Sequence, residues 1–105
     1  MAPVNENPQR ADVNEGAYTS AVVAVGATEV EAKVGGTRNA LRQILKLTND
    51  NDTVEVYYGP TGVTTSGATK GDVLWPRQEA AIPIGDVGVF LIAASAVNVI
   101  VQEFA

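Results

Sequence analysis

Asn49-Asp50-Asn51-Asp52-Thr53-Val54-Glu55-Val56-Tyr57-Tyr58-Gly59-Pro60-Thr61-Gly62-Val63-Thr64-Thr65-Ser66 is the stretch that decides the fold. Its first four residues form a turn, because Asn and Asp side chains hydrogen-bond nearby backbone and tolerate left-handed dihedrals. Val54, Val56 and Tyr58 then alternate with Glu55 and Tyr57, the period of a strand with one face buried. Gly59-Pro60 and Gly62 close that strand with a second turn, ahead of a Thr-rich edge. The whole reads as β-architecture built for a surface. No spacing within it is that of an active site.

The same grammar extends in both directions. Ala21 to Val25 is a small apolar run closed by Gly26. Thr28 to Val34 alternates strictly, with Val30, Ala32 and Val34 opposite Glu29, Glu31 and Lys33, until Gly35-Gly36 breaks it. Ala81 to Ile84 contains Pro83, which suits an edge strand or a bulge. Val87 to Ala94 is continuously apolar, as expected of a strand buried on both faces. Val97, Val99 and Val101 alternate with Asn98 and Gln102 to finish the chain. Arg38 to Thr48 fits both periods, since Leu41, Ile44 and Leu45 have helical spacing while Leu41, Leu45 and Leu47 share a strand face. Its strand-like neighbours and the lack of a capping box favour a strand. The expectation is an all-β chain: a small β-sandwich or jelly-roll-like barrel of roughly eight short strands. The organisation is an extended N-terminal arm over residues 1–19 and one β-sandwich domain over residues 20–105.

The arm stands apart by composition. Met1 to Ser20 holds two prolines, three asparagines and three carboxylates with little periodicity. Such a segment does not offset the entropy of ordering by itself, so it reads as a mobile tail or as an arm lying on a neighbouring subunit.

Composition also limits the chemistry. With 105 residues and no cysteine or histidine, the chain lacks thiolate nucleophiles, Cys-based zinc sites, the commonest general base and the commonest metal ligand. No enzyme activity and no cofactor are expected. A net charge of −5 argues against generic binding to nucleic acid or to anionic membranes, which depends on Lys and Arg. No apolar run approaches the roughly 20 residues of a bilayer helix. The N-terminus has no basic region followed by an apolar core, so a soluble protein made in the cytoplasm is expected. The apolar content is rich in Ala and Val and the chain has only six aromatic residues, a shortage of large side chains that self-association would offset.

Three features are candidates for a functional surface. Lys33, Arg38, Arg42 and Lys46 place four of the seven positive charges within fourteen residues containing no acid. The last three share strand parity, so they read as a positive stripe meeting an acidic partner, or as a solvated face that guards an edge. Tyr57 and Trp75 are aromatics that either pack or offer an exposed anchor for a sugar or an interface. Asn49 to Asp52 resembles the start of a calcium loop, but the sixth position from Asp50 is Glu55 where that loop needs glycine. A plain turn is the expectation there.

Residues 28–105 resemble small bacteriophage virion proteins of the head-decoration, head-fibre or minor structural kind. The resemblance is carried by the aliphatic stretch Arg38 to Asn49, the turn Asn49 to Asp52 and Val56 to Gly59. It continues through Gly62-Val63-Thr64-Thr65-Ser66, Val87 to Ser95 and Val97 to Glu103. It implies a β-domain on the particle surface, located in the virion, often trimeric, with the arm or a sheet edge clamping adjacent subunits. The implied partners are the major capsid protein or other virion subunits. The implied contacts are Pro3, Val4, Asn5, Pro8 and Arg10 of the arm, together with the basic stripe. No catalytic residue is implied. Two other readings stay open: a carbohydrate- or receptor-binding β-module using Tyr57 or Trp75, and a phage tail or neck component.

Overall fold

The eight residues Val97–Phe104 form the longest alternating run, and they organise the molecule. Val97, Val99, Val101 and Glu103 are buried, while the residues between them face outward or are half-buried. In the computed structural model, which describes residues 18–105, this run is the last of eight strands. The strands are β1 (Tyr18–Val25), β2 (Val30–Glu31), β3 (Ile44–Asn49), β4 (Val56–Gly59), β5 (Asp72–Leu74), β6 (Glu79–Pro83), β7 (Phe90–Ile92) and β8 (Val97–Phe104). The one helical element among the described residues is a 3₁₀ turn at Gly67–Thr69.

The strands form two four-stranded antiparallel sheets, ordered β1-β8-β3-β6 and β2-β7-β4-β5. Strand one pairs with eight, two with seven, three with six and four with five. The chain is therefore one long antiparallel ribbon rolled up, and the seams β3–β8 and β4–β7 close the roll. This is jelly-roll order, so the all-β sandwich expected from the sequence is the fold.

The core lies between the sheets. Leu45 and Leu47 of β3 and Val97, Val99 and Val101 of β8 face Val56, Leu74 and Leu91 of the opposite sheet, with Val25, Ala32, Val89 and Ala93 filling the ends. Among the residues whose burial is described no aromatic side chain is buried, and Tyr58 only packs against the core's margin. Small and β-branched side chains let thin sheets stack closely, but each contributes modest buried area.

Several sequence expectations shift in detail. Arg38 to Thr48 is not one strand, because β3 starts at Ile44 and the residues before it form a turn in which Asn39 Oδ1 accepts from Leu41 N–H. The alternating run Thr28 to Val34 keeps only two residues in its ladder with β7. Val87 to Ala94 contributes only Phe90–Ile92 to a strand, and it is not buried on both faces. Leu91 is fully buried there, but Phe90 and Ile92 are half-buried and Val87 is 58% exposed. One face of each sheet meets the core, and no layer among the described residues covers the other. Pro83 does sit on an edge strand, as its missing N–H requires. The domain boundary moves as well: β1 begins at Tyr18, and Tyr18 and Thr19 pair with Phe104 and Glu103.

Candidate functional site

The basic stripe is the feature the fold changes most. Arg42 leaves the turn before β3 and points into the sandwich, where it is only 2% exposed. Its Nε donates to Gly85 O at 2.9 Å and its Nη2 to Val87 O at 2.7 Å. Its Nη1 donates to Glu103 Oε2 at 2.8 Å and, more weakly, to Ala32 O at 3.3 Å. The same carboxylate oxygen accepts from Asn39 N–H at 3.0 Å. One guanidinium thus joins β8 to three loop carbonyls drawn from both sheets. Burial of two opposite charges is tolerated when each is hydrogen-bonded in this way. Arg42 is a structural fastener, and its assignment to a contact surface is overturned.

The other three cations of the stripe sit beside carboxylates of their own chain. Arg38 Nη1 meets Glu31 at 2.7 Å and its Nε meets Asp86 at 3.0 Å. The hydrogen bond it donates to Glu31 is the main reason the Arg38 guanidinium is held above its ordinary pKa. Lys33 lies 3.7 Å from Glu31, and Lys46 lies 3.2 Å from Glu79. Local sequence spacing missed these partners because Asp86, Glu79 and Glu103 arrive from strands and loops far along the chain.

Asn49 ends β3, and the turn expected at Asn49 to Asp52 falls one residue later, over Asp50 to Thr53. Asn51 Oδ1 accepts from Thr53 N–H at 2.8 Å and Val54 N–H at 2.9 Å, the geometry Asn supplies in tight turns. Asp50 and Asp52 are both engaged by Arg77, at 2.8 Å and 2.7 Å. Their carboxylates, Asp52 foremost, raise the Arg77 pKa above its ordinary value. Arg77 has φ of 63° in the turn Trp75-Pro76-Arg77-Gln78, which Gln78 N–H closes onto Trp75 O at 3.0 Å. Pro at the second position and positive φ at the third are the type II pattern, where glycine is usual. Two carboxylates hold an arginine there. Asn49 itself is buried and ties the sheets together, its Nδ2 donating to Val54 O at 2.8 Å and Leu74 O at 3.0 Å.

Tyr57 and Trp75 both lie on the second sheet's outward side. Tyr57 faces Ile92 and Val73 across its two ladders, and Lys70 Nζ lies 5.7 Å from its ring centroid. Its hydroxyl donates to Glu55 Oε2 at 3.3 Å, and desolvation is the main cause that raises its pKa. Trp75 follows β5 directly and is 56% exposed.

Two clefts open at the end of β4, of about 350 Å³ and 260 Å³, sharing Tyr58, Gly59, Pro60 and Asp72. A third groove of about 290 Å³ runs beside β1, lined by Ala21 to Ala24 and by Val30, Glu31, Lys33 and Gly35. Neither Tyr57 nor Trp75 lines any of the three. Among the described residues no group of three or more acids is arranged to hold a metal ion. Pro3, Val4, Asn5, Pro8 and Arg10 lie outside the described residues. Comparison of the chain with protein-family models, with curated proteins and with solved structures returned no match.

Proposed function

We propose that this chain is a phage virion structural protein, a capsid decoration or head-fibre subunit that binds and stabilises the particle surface. The observation that carries the reading is the jelly-roll order of the sheets, an architecture recurrent in capsid and lectin domains. Fold alone does not give function. The sequence resemblance adds the virion context, and the outward faces of both sheets supply area for contact. Binding to the assembled particle and not to free capsid subunits stabilises the assembly by mass action. Many weak repeated contacts raise that effect without any tight single site.

The test uses particles of the phage that encodes the chain, stripped of this protein. The purified chain is expected to co-sediment saturably with heads and to raise the temperature at which they release DNA. Binding to tails alone would favour the tail or neck component, and binding to neither would end the proposal. Removing residues 2–17 is expected to abolish particle binding and leave the fold intact. The cut stops at residue 17 because Tyr18 and Thr19 belong to the β1–β8 ladder.

The exposure of Trp75, just past the strand that pairs with β4 and its Tyr57, favours a second reading, a carbohydrate- or receptor-binding module. Trp75 is the single tryptophan, so its fluorescence would shift on titration with a bound glycan. A panel of host surface polysaccharides that leaves the emission unchanged counts against it.

A further inference from the structure

The sandwich has four sheet edges, and three are guarded against pairing with another strand. β2 is two residues long and ends on the charged Glu31. β5 has three residues and begins with Asp72, while β6 carries Glu79 and Pro83. Short length, charge and proline are the usual protections of an edge. β1 has none of them. Its eight residues, Tyr-Thr-Ser-Ala-Val-Val-Ala-Val, hold no acidic or basic group, proline or glycine, and they pair with β8 in unbroken register. No strand among the described residues covers its other side.

The ladder shows which backbone groups that edge offers. Asn49 directs its N–H to Gln78 O and its C=O to Arg77 N–H, on the β6 side of β3. Alternation then turns Lys46 and Thr48 toward Gln102 and Ile100 of β8. Val99, Val101 and Glu103 are left to face Val23, Ala21 and Thr19 of β1. Ser20, Val22 and Ala24 therefore direct their N–H and C=O groups to the free edge. Their side chains are exposed, with Val22 at 62%.

We propose that the free edge of β1 pairs antiparallel with β1 of a second copy of this chain, about a twofold axis at Val22. Val22 then faces Val22 of the second copy, and Ser20 faces its Ala24 on both sides of the axis. Each such pair exchanges two backbone hydrogen bonds, about six in all. The register keeps core-facing residues on the core side, with Ala21 opposite Val23 of the second copy. That valine enters the groove beside β1, over Val30.

Charge selects the occupant. The chain carries a net charge of −5, so two copies repel overall, and the contact least opposed is one that sets no like charges directly opposite each other, as two uncharged β1 strands do. Residues 1–17 hold Pro3, Pro8, Glu6, Arg10, Asp12 and Glu15, a composition that suits a ladder poorly. Another β1 matches the edge better. The inference does not depend on the virion reading, since it concerns the free protein.

Sedimentation velocity on the full chain, from about 1 to about 200 µM, tests it. The expected result is a mass that doubles with concentration. Val22→Lys and Val22→Glu each place like charges directly opposite across the axis, so each variant is expected to remain at the mass of one chain with an unchanged melt. Mixing the two variants opposes lysine to glutamate and is expected to restore the doubled mass. If Val22→Lys disturbs the melt, Ala24→Lys on the same exposed edge replaces it. A wild-type chain that stays monomeric, a lysine variant that associates like wild type, or a mixture that fails to recover would each overturn the proposal. So would loss of association on removing residues 2–17, which would assign the contact to that segment.

Discussion

At the scale of single residues, Arg42 and Glu103 dominate. Their ion pair is 2.8 Å long and the side chains are 0% and 2% exposed. Removing one partner of a buried pair leaves an uncompensated charge, a loss of about 3–5 kcal/mol. Arg42→Met is therefore expected to lower urea stability by that amount, because Glu103 stays buried without its cation and three carbonyls lose a donor. Replacing both residues, as Arg42→Met with Glu103→Leu, is expected to lose clearly less than the sum of the single changes. An additive cycle would contradict the coupling. Tyr58 gives a prediction of a different kind. Its phenol pKa is raised, first by burial and then by Asp72. A raised folded pKa favours the neutral phenol, so this stability is fully present below the ordinary value of about 10 and falls as pH rises through the folded value. Urea melts between pH 9 and pH 12 should show wild type losing stability more steeply than Tyr58→Phe, and equal slopes would remove Tyr58 as the cause.

At the scale of elements, what the sequence revealed divides by the range of the interaction. The β8 alternation, the Asn51 turn and the edge position of Pro83 were readable because period-two patterning and turn chemistry act within a few residues. The stretch from Arg38 to Thr48 was misread because strand parity assigns a side but not a depth. Whether Arg42 faces solvent depends on Glu103, sixty-one positions away, and on carbonyls at Ala32, Gly85 and Val87. The exposure of Val87 is not legible in the sequence for a related reason, since an apolar run does not tell how far a neighbouring sheet extends. The bareness of the β1 edge became visible only once the strand order was known. The loop between β4 and β5 carries its own test. A Cβ at Gly71 would lie 2.6 Å from both Tyr58 O and Val63 Cγ2, and 2.9 Å from Tyr58 N. Backbone cannot yield as a flexible side chain does, so Gly71→Ala is expected to cost about 1–3 kcal/mol by overpacking. Gly36→Ala, where the added methyl meets nothing within 4 Å, is the matched control and should change the melt far less.

At the scale of the whole molecule, charge distinguishes the two ways this chain can meet a copy of itself. A contact through Arg38 and Lys46 against another copy's carboxylates would be attractive, and added salt would weaken it. A contact through β1 joins uncharged strands while the two bodies, each at −5, still repel. Four strands spaced about 4.8 Å apart set the centres of two edge-joined sheets roughly 20 Å apart. Unscreened repulsion at that distance in water is on the order of 5 kcal/mol. Near 10 mM salt the Debye length of about 30 Å leaves roughly half of it, and near 150 mM a length of about 8 Å leaves less than a tenth. Dimer dissociation constants measured at these two concentrations are therefore expected to fall roughly tenfold or more as salt rises. A constant that instead rises with salt would move the interface from the bare edge of β1 to the paired cations Arg38 and Lys46.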